Sequence, residues 1–465
     1  MDRIALLDNL RERVGAQAVL SPDDLAGRDP GWDTGNLGAA ALVRPVTTAD
    51  VAKLVAWCRE AKIALVPHGG RTGLVGGAIT GPEEIICDLG ALDRIEEIDP
   101  QTRVAVVQAG VTLNALQEAA RAHGLEPGID LAARGSATIG GMISTNAGGI
   151  MAFRNGVMRH RVLGLEVVLP DGQVFCDLTR VVKTSAGYDL KHLFIGAEGT
   201  LGIVTRAVIK LDPLTGAGAT ALVGLNDAAS AQRAIRYFLA QGGTSLRAAE
   251  IMWRSYALTT SRALGFTPGQ LPLDAPCLLA LELAADTFEQ ASAALESGLA
   301  AIWDEAQIID GLVANSMQQA ERIWRVREDT DVLYRLHPRA PSFDVSVPAG
   351  AIDDYVARIQ ADLKAIDAGF APYVFGHLAD GNLHIVFNVE GPLPAATNEA
   401  VERVLYTDLS AVGGSFSAEH GVGRKKRAAF ERYADPVKRQ LAQAVKTIID
   451  PEGLLNPGKI VDPAS

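Results

Sequence analysis

Cysteine is scarce in this chain, and its four copies, at positions 58, 87, 176 and 277 of 465 residues, have no paired spacing. That excludes a disulfide framework and a cysteine-based zinc site, and it favours a reducing compartment, so the expected location is the cytoplasm. Long apolar runs are missing too. No stretch approaches the ~18–20 residues of a membrane helix, and residues 1–4 open an amphipathic segment with no apolar signal core. Positive charge is in deficit: a formal net charge of -12 argues against a general nucleic-acid binder and gives no reason for docking on an anionic membrane. The one local exception, Arg424-Lys425-Lys426-Arg427, reads as a solvated helix face. No G-x-x-x-x-G-K-[ST] loop occurs, which removes the P-loop nucleotidases. Gly216-Ala217-Gly218-Ala219-Thr220-Ala221 fits G-x-G-x-x-A by count, but a strand-like run follows it where a helix is needed, so it reads as a linker.

What remains is an ordinary globular composition, 48% hydrophobic and 21% charged, on a chain too long for a single core. Residues 1–40 read as a helical lead-in. Over residues 41–215 short strands alternate with helices: Thr47-Thr48-Ala49-Asp50 opens a helix with a buried stripe at Val51, Leu54, Val55 and Cys58, residues 63–66 and 104–107 are strands, and 162–175 form a hairpin. The weak link at 214–218 marks a boundary. Residues 216–394 alternate strands with alanine-rich helices, as in an α+β domain with an antiparallel sheet, and 395–465 is mainly helical.

Two kinds of motif carry chemistry. The first is glycine-rich. His68, Gly69, Gly70, Arg71, Thr72, Gly73 and Leu74 follow a strand; a second loop holds Ser136, Ala137, Thr138, Gly140, Gly141, Ser144 and Asn146; a third piece runs through Glu198, Gly202 and Ile203. Glycines and small hydroxyl residues let backbone N–H groups approach phosphate, so these loops suit a dinucleotide. The second kind is a pair of histidine motifs, Gly376-His377-Leu378-Ala379-Asp380-Gly381-Asn382-Leu383-His384 and Ser417-Ala418-Glu419-His420-Gly421. Two imidazoles and a carboxylate can hold a divalent ion with positions open to substrate, and His420 is then left to move a proton. Zn²⁺ suits such a set, as do Mn²⁺, Fe²⁺ and Co²⁺.

Together these segments resemble the flavoproteins of the vanillyl-alcohol oxidase type, with a PCMH-type FAD-binding domain, and within them the D-lactate, glycolate and D-2-hydroxyglutarate dehydrogenase branch. The resemblance spans residues 42–460. It implies a PCMH-type domain over 41–215, a substrate-binding cap domain over 216–394, and a C-terminal segment over 395–465 that completes the active site. It implies that the 68–74 and 136–146 loops grip FAD, that Glu198, Gly202 and Ile203 lie along it, and that Asn456 touches its ring system. Arg71 stands where some members carry a flavin-tethering histidine, so FAD is expected to be non-covalent.

In that family pattern His377, His384 and Glu419 bind the metal, His420 is the general base, and Arg327 clamps the substrate carboxylate. A 2-hydroxy acid would chelate the ion, lose its hydroxyl proton to His420 and pass hydride from C2 to flavin N5. Two departures bear on the substrate. A lysine common in the 2-hydroxyglutarate branch is Ser342 here, and an asparagine is Val386. Both changes remove polar contacts for a dicarboxylate, with Arg339 as a compensating candidate, so D-lactate and aliphatic 2-hydroxy acids rise while D-2-hydroxyglutarate stays open. The implied electron acceptor is an electron-transfer flavoprotein, a cytochrome or a quinone, and a homodimer is expected. An O₂-using oxidase, a metal-dependent hydrolase with a structural nucleotide and a non-catalytic flavin subunit are the rival readings.

Overall fold

The computed structural model describes residues 3–464, which divide into two compact units. Unit 1 holds the residues up to Gly149, then Asn155–Leu214 and everything from Glu419 onward; unit 2 holds Ile150–Arg154 and Thr215–Ala418.

Unit 1 contains two main sheets. Val19–Leu20 (β1), Ala41–Val43 (β2), Leu65–His68 (β3) and Ile85–Asp88 (β4) form the first, in the order β1-β2-β4-β3. The residues expected to be only a helical lead-in thus contribute an edge strand as well as the helix Arg3–Val14. β2 and β3 both run parallel to β4, which requires a crossover. The helix Thr48–Ala61 supplies it: the Thr47 hydroxyl accepts the Asp50 N–H at 3.1 Å, and Val51, Leu54, Val55 and Cys58 pack with Leu65, Ile85 and Cys87 in one core.

The second sheet draws on Ile95–Asp99 (β5), Val104–Gln108 (β6), Val162–Val168 (β8), Val174–Asp177 (β9) and Ile203–Lys210 (β10), in the antiparallel order β5-β6-β10-β8-β9. Leu125–Glu126 (β7) and Asp212–Pro213 (β11) make a separate short pair. Below this sheet lies the helix Ile139–Thr145, whose Ile139, Met142 and Ile143 are buried with Val107, Leu165 and Val167. A Cβ on Gly140 would lie 2.6 Å from the Ala109 side chain, so only glycine lets this helix seat so deeply.

Unit 2 is built on Ala217–Leu225 (β12), Ser245–Trp253 (β13), Cys277–Ala285 (β14), Ile308–Val313 (β15), Ser342–Ser346 (β16), Tyr373–His377 (β17) and Asn382–Val386 (β18), ordered β15-β12-β14-β13-β17-β18-β16 and antiparallel throughout. The glycine run at 216–221 is therefore mostly strand β12, and the linker ends earlier than expected. The helices Arg254–Ala263 and Met317–Glu328 pack over one face, where Tyr256, Ala257, Ile323 and Val326 meet Leu222, Met252, Leu278 and Phe375.

The 395–465 segment does not stay together. The helix Ala395–Tyr406 packs on the helix Ile352–Ile366 in unit 2, where the Tyr355 hydroxyl donates to the Leu405 carbonyl at 2.9 Å. Residues 454–456 instead run beside β3 in unit 1, with the Leu65 N–H donating to the Leu454 carbonyl and the Asn456 N–H to the Leu65 carbonyl, each at 2.9 Å. The basic run at 424–427 is not a bare helix face. Lys425 pairs with Asp33 at 2.9 Å, Lys426 is buried, and Arg427 pairs with Asp462 at 2.7 Å.

Candidate active site

In unit 1 the glycine-rich loops meet around a cleft with about 960 Å³ of empty space, part of it open to solvent. His68, Gly69, Gly70, Arg71, Thr72, Gly73, Ala137, Thr138, Gly140, Gly141, Ser144, Glu198, Gly202 and Ile203 line it, as does His420. Leu74, Ser136, Asn146 and Asn456 do not. Leu131, Met142, Thr145, Ala147 and Val204 also line it, and nothing in the sequence marks such ordinary residues.

The two loops touch backbone to backbone. A Cβ on Gly69 would lie 2.4 Å from the Thr138 hydroxyl and one on Gly70 2.0 Å from the Ser136 carbonyl, so neither position tolerates a side chain. His68 is fully buried, and burial lowers its pKa to about 4, against the pull of its hydrogen bond to the Ala78 carbonyl. The ring is therefore neutral, with Nε2–H donating to Ala78 at 2.8 Å. Its Nδ1, and the buried Nε of Arg71, have no hydrogen-bond partner among the described residues. Orphaned polar atoms beside glycines that admit no side chain are what a flat polar cofactor would complete, and FAD fits this cleft on those grounds.

Besides lining the cleft, Glu198 braces the chain beyond His420. Its carboxylate accepts the Val422 and Gly423 N–H groups at 2.7 and 2.8 Å, and so fixes the backbone two residues beyond His420. Burial raises its pKa to about 7, opposed by those two hydrogen bonds. A Cβ on Gly421 would stand 2.6 Å from Glu198 Oε1, which requires glycine there. Asn456 donates to the Gly77 and Glu198 carbonyls at 3.0 and 2.7 Å, so it supports the cleft wall from behind. Glu419 accepts the Gly149 N–H at 2.9 Å.

In unit 2 the candidate side chains fall on one sheet face by register. Directly paired residues in antiparallel strands share a face, as do residues two apart in one strand. Glu250, His377, Asn382 and Ser346 form one rung across β13, β17, β18 and β16; Met252, Phe375, His384 and Asp344 form the next; Tyr373, Val386 and Ser342 form a third. The rings of His377 and His384 stand edge to face at 5.3 Å between centroids, with ring nitrogens within 4.8 Å of each other. Two imidazoles at that separation are a fit donor pair for a divalent ion.

Behind them lies a carboxylate that no sequence pattern indicated. Glu250 is 1% exposed; its Oε1 is 2.6 Å from His377 Nδ1 and its Oε2 2.7 Å from Arg327 Nη2. Arg327 is also buried, with its guanidinium 4.9 Å from the Phe375 ring centroid and its Nε without a hydrogen-bond partner among the described residues. Both amide atoms of Asn382, 3% exposed, likewise have no partner among the described residues.

Arg339 lies elsewhere: it is exposed, in the turn before β16, and is no part of this face. Val386 is buried and directly opposite Ser342, so the two positions that depart from the family pattern are cross-strand partners. Their rung continues through Tyr373, whose hydroxyl is 3.2 Å from His337 Nε2.

Two family models match the chain, one described as FAD linked oxidases, C-terminal domain, over residues 216–460, and one described as FAD binding domain, over residues 39–176. A D-2-hydroxyglutarate dehydrogenase of Stutzerimonas stutzeri is 35% identical over 465 residues, covering 98% of this chain and 98% of that relative. A mitochondrial D-2-hydroxyglutarate dehydrogenase of Bos taurus is 33% identical, covering 99% and 83%. Among solved structures, p-cresol methylhydroxylase with substrate bound has a TM-score of 0.75 at 18% identity over 99% of this chain and 97% of that one. A 4-ethylphenol oxidase from Gulosibacter chungangensis has a TM-score of 0.71 at 19% identity, over 99% and 98%. Those two share the fold. No helix among the described residues is long and apolar enough to cross a membrane.

Proposed function

Because this chain belongs to the FAD-linked oxidase family and is an FAD-dependent oxidoreductase, we propose that it oxidises a D-2-hydroxy acid to the 2-oxo acid. The observation that carries the reading is the sheet face of unit 2, where a buried guanidinium and two imidazoles lie together. A carboxylate with a neighbouring hydroxyl is the substrate group that such a set recognises: a planar fork for the carboxylate and nitrogen donors for a cation beside the hydroxyl. The names of the relatives point the same way.

In this reading His377, His384 and Glu419 hold a divalent ion, Zn²⁺ being the first candidate, and bound FAD is non-covalent. FAD supplies the two-electron acceptor for the hydrogen at C2, and the ion supplies the positive charge that makes the hydroxyl more acidic. Arg327 Nε and the guanidinium edge turned from Glu250 bind the carboxylate. A ring nitrogen of His420 takes the hydroxyl proton. Glu198 keeps His420 at the cleft by pinning residues 422–423.

The third rung sets the substrate. Ser342, Val386 and Tyr373 offer no fixed positive charge, which favours D-lactate or a longer aliphatic monocarboxylate. The relatives' names favour D-2-hydroxyglutarate as the second reading. Electrons pass to an acceptor other than NAD: an electron-transfer flavoprotein, a cytochrome or a quinone. A cytoplasmic homodimer completes the proposal; some relatives are named as mitochondrial. Anaerobic titration of the flavin-loaded protein with D- and L-2-hydroxy acids tests it. Bleaching by one D-acid at micromolar to millimolar concentration is expected, and a flavin that no 2-hydroxy acid bleaches would sink the reading.

A further inference from the structure

We infer that Glu250 is a positioning residue that governs both halves of substrate capture, ion binding through His377 and carboxylate binding through Arg327; the inference rests on the function proposed above. Its two oxygens have separate duties. Oε1 is 2.6 Å from His377 Nδ1, and a buried carboxylate that is ion-paired accepts hydrogen bonds only, so the proton of this bond belongs to Nδ1. That fixes the tautomer: His377 presents Nε2 as its lone-pair nitrogen, pointed away from Glu250. A carboxylate behind a ligating imidazole also raises its basicity and holds its plane.

Oε2 is ion-paired with Arg327 Nη2 at 2.7 Å, outside hydrogen-bond geometry, and so holds the guanidinium by charge. The Phe375 ring beneath the guanidinium, and the Tyr256 hydroxyl donating to the Arg327 carbonyl at 2.7 Å, hold the side chain and its backbone in place. The remaining guanidinium N–H groups are then presented as a rigid donor edge. Glu250 and Arg327 are 1% and 7% exposed, so neither charge is satisfied by bulk water if the other is removed.

Glutamine cannot reproduce this. Its oxygen can accept from His377 Nδ1–H, but its NH₂ then faces the guanidinium donor to donor. The alternative flip satisfies Arg327 and sets NH₂ against Nδ1–H. The E250Q variant is therefore expected to damage both functions, whereas R327K, which keeps a positive charge beside Glu250 but loses the planar fork, damages one.

The test uses flavin-loaded protein stripped of divalent ions, titrated with Zn²⁺ by equilibrium dialysis and assayed for KM with the acid that bleaches the flavin best. Loss of a carboxylate that orients a ligating imidazole costs about 10- to 100-fold in ion affinity. E250Q is expected to show that loss together with a KM raised about tenfold or more, at unchanged flavin content. R327K is expected to raise KM while Zn²⁺ affinity stays within about threefold of wild type, because the charge that balances Glu250 is kept. A residue that merely supported the fold would not split the two readouts in this way.

The shorter side chain of E250D keeps the charge but cannot reach both partners, so one readout moves and the other recovers; it serves where E250Q does not fold. Zn²⁺ affinity and KM both unchanged in E250Q, or both unchanged in E250D, overturn the inference. Wild-type protein that binds no divalent ion overturns the metal assignment itself, and the inference with it. Flavin that no 2-hydroxy acid bleaches, in protein that does bind Zn²⁺, overturns only the proposed reaction and leaves the ion half of the inference standing.

Discussion

The cleft of unit 1 is made by backbone, and the polar face of unit 2 is made by side chains. In the cleft the chain positions are fixed by what must be absent: a Cβ at Gly69 or Gly70 would collide with the facing loop. On the sheet the positions are fixed by register: Glu250, His377 and Asn382 come from three strands and share a face because antiparallel pairing puts them opposite one another. The first kind of site is spelled in contiguous residues. The second is assembled from residues 127 positions apart in the Glu250–His377 bond alone. Backbone-built sites should therefore resist added volume, and side-chain-built sites should respond to single polar changes.

The largest expected effect isolates His420, the proposed base, which lies in the backbone-built cleft. H420A should keep bound FAD, because the loops that hold it are intact, and should lose about 10²- to 10⁴-fold in the rate of flavin reduction by substrate. Stopped-flow absorbance of the flavin measures this. Reduction at the wild-type rate would remove His420 from the mechanism and leave the cleft with binding alone.

Next comes the anchor behind the cleft. Lys446 is 2% exposed, and its ammonium donates to Asp450 at 2.6 Å and to the Thr200 and Leu455 carbonyls at 2.8 and 3.1 Å. Asp450 in turn accepts the Leu454 and Leu455 N–H groups at 2.9 Å each, which leads the chain to Asn456. Breaking one side of such a buried pair costs about 3–5 kcal/mol. D450N should lower the thermal midpoint and loosen FAD, since the strand-like residues 454–456 beside β3 would be released. A midpoint within a degree of wild type would show that the cleft needs no support from this segment.

These two cases show what the sequence made legible. The glycine loops that line the cleft and the His377/His384 pair stood out because each is a short contiguous pattern. The helix Thr48–Ala61 was legible from its cap and apolar spacing, whereas the parallel pairing of β2 and β3 with β4 was not. Glu250 was not readable. It is one carboxylate in the apolar end of β13, Ala-Ala-Glu-Ile-Met-Trp, and only its burial and partners give it meaning. Arg339, a compensating candidate by its charge, lies exposed in the turn before β16. The division of 395–465 was hidden because helical periodicity reports a buried face without saying against which unit.

A smaller effect tests the neutral rung. S342K combined with V386N places a cation and an amide on paired positions of β16 and β18. The double variant should shift kcat/KM toward D-2-hydroxyglutarate over D-lactate by about 10- to 100-fold, the usual range for one or two polar contacts made or lost. Steady-state assays of both acids read it. An unchanged ratio would place the distal end of the substrate away from this rung.

The smallest effect returns to the cleft, through Glu198. Its folded pKa of about 7 lies above the ordinary value of 4.5 because burial disfavours the charged form. A carboxyl raised in the folded state adds stability that is fully present below pH 4.5 and disappears as pH rises through 7. Between pH 5.5 and 7.5 this contribution should fall by about 1–2 kcal/mol, an order-of-magnitude figure from the linkage relation. E198Q cannot ionise, so its stability should be flatter over that window, although its amide replaces only one of the two acceptors facing Val422 and Gly423. Urea midpoints at both pH values, compared between wild type and E198Q, measure the difference of slopes. Parallel slopes would mean that the two N–H groups hold Glu198 ionised across the whole window, with hydrogen bonding outweighing burial. The backbone would then control charge at this position as it controls shape in the rest of the cleft.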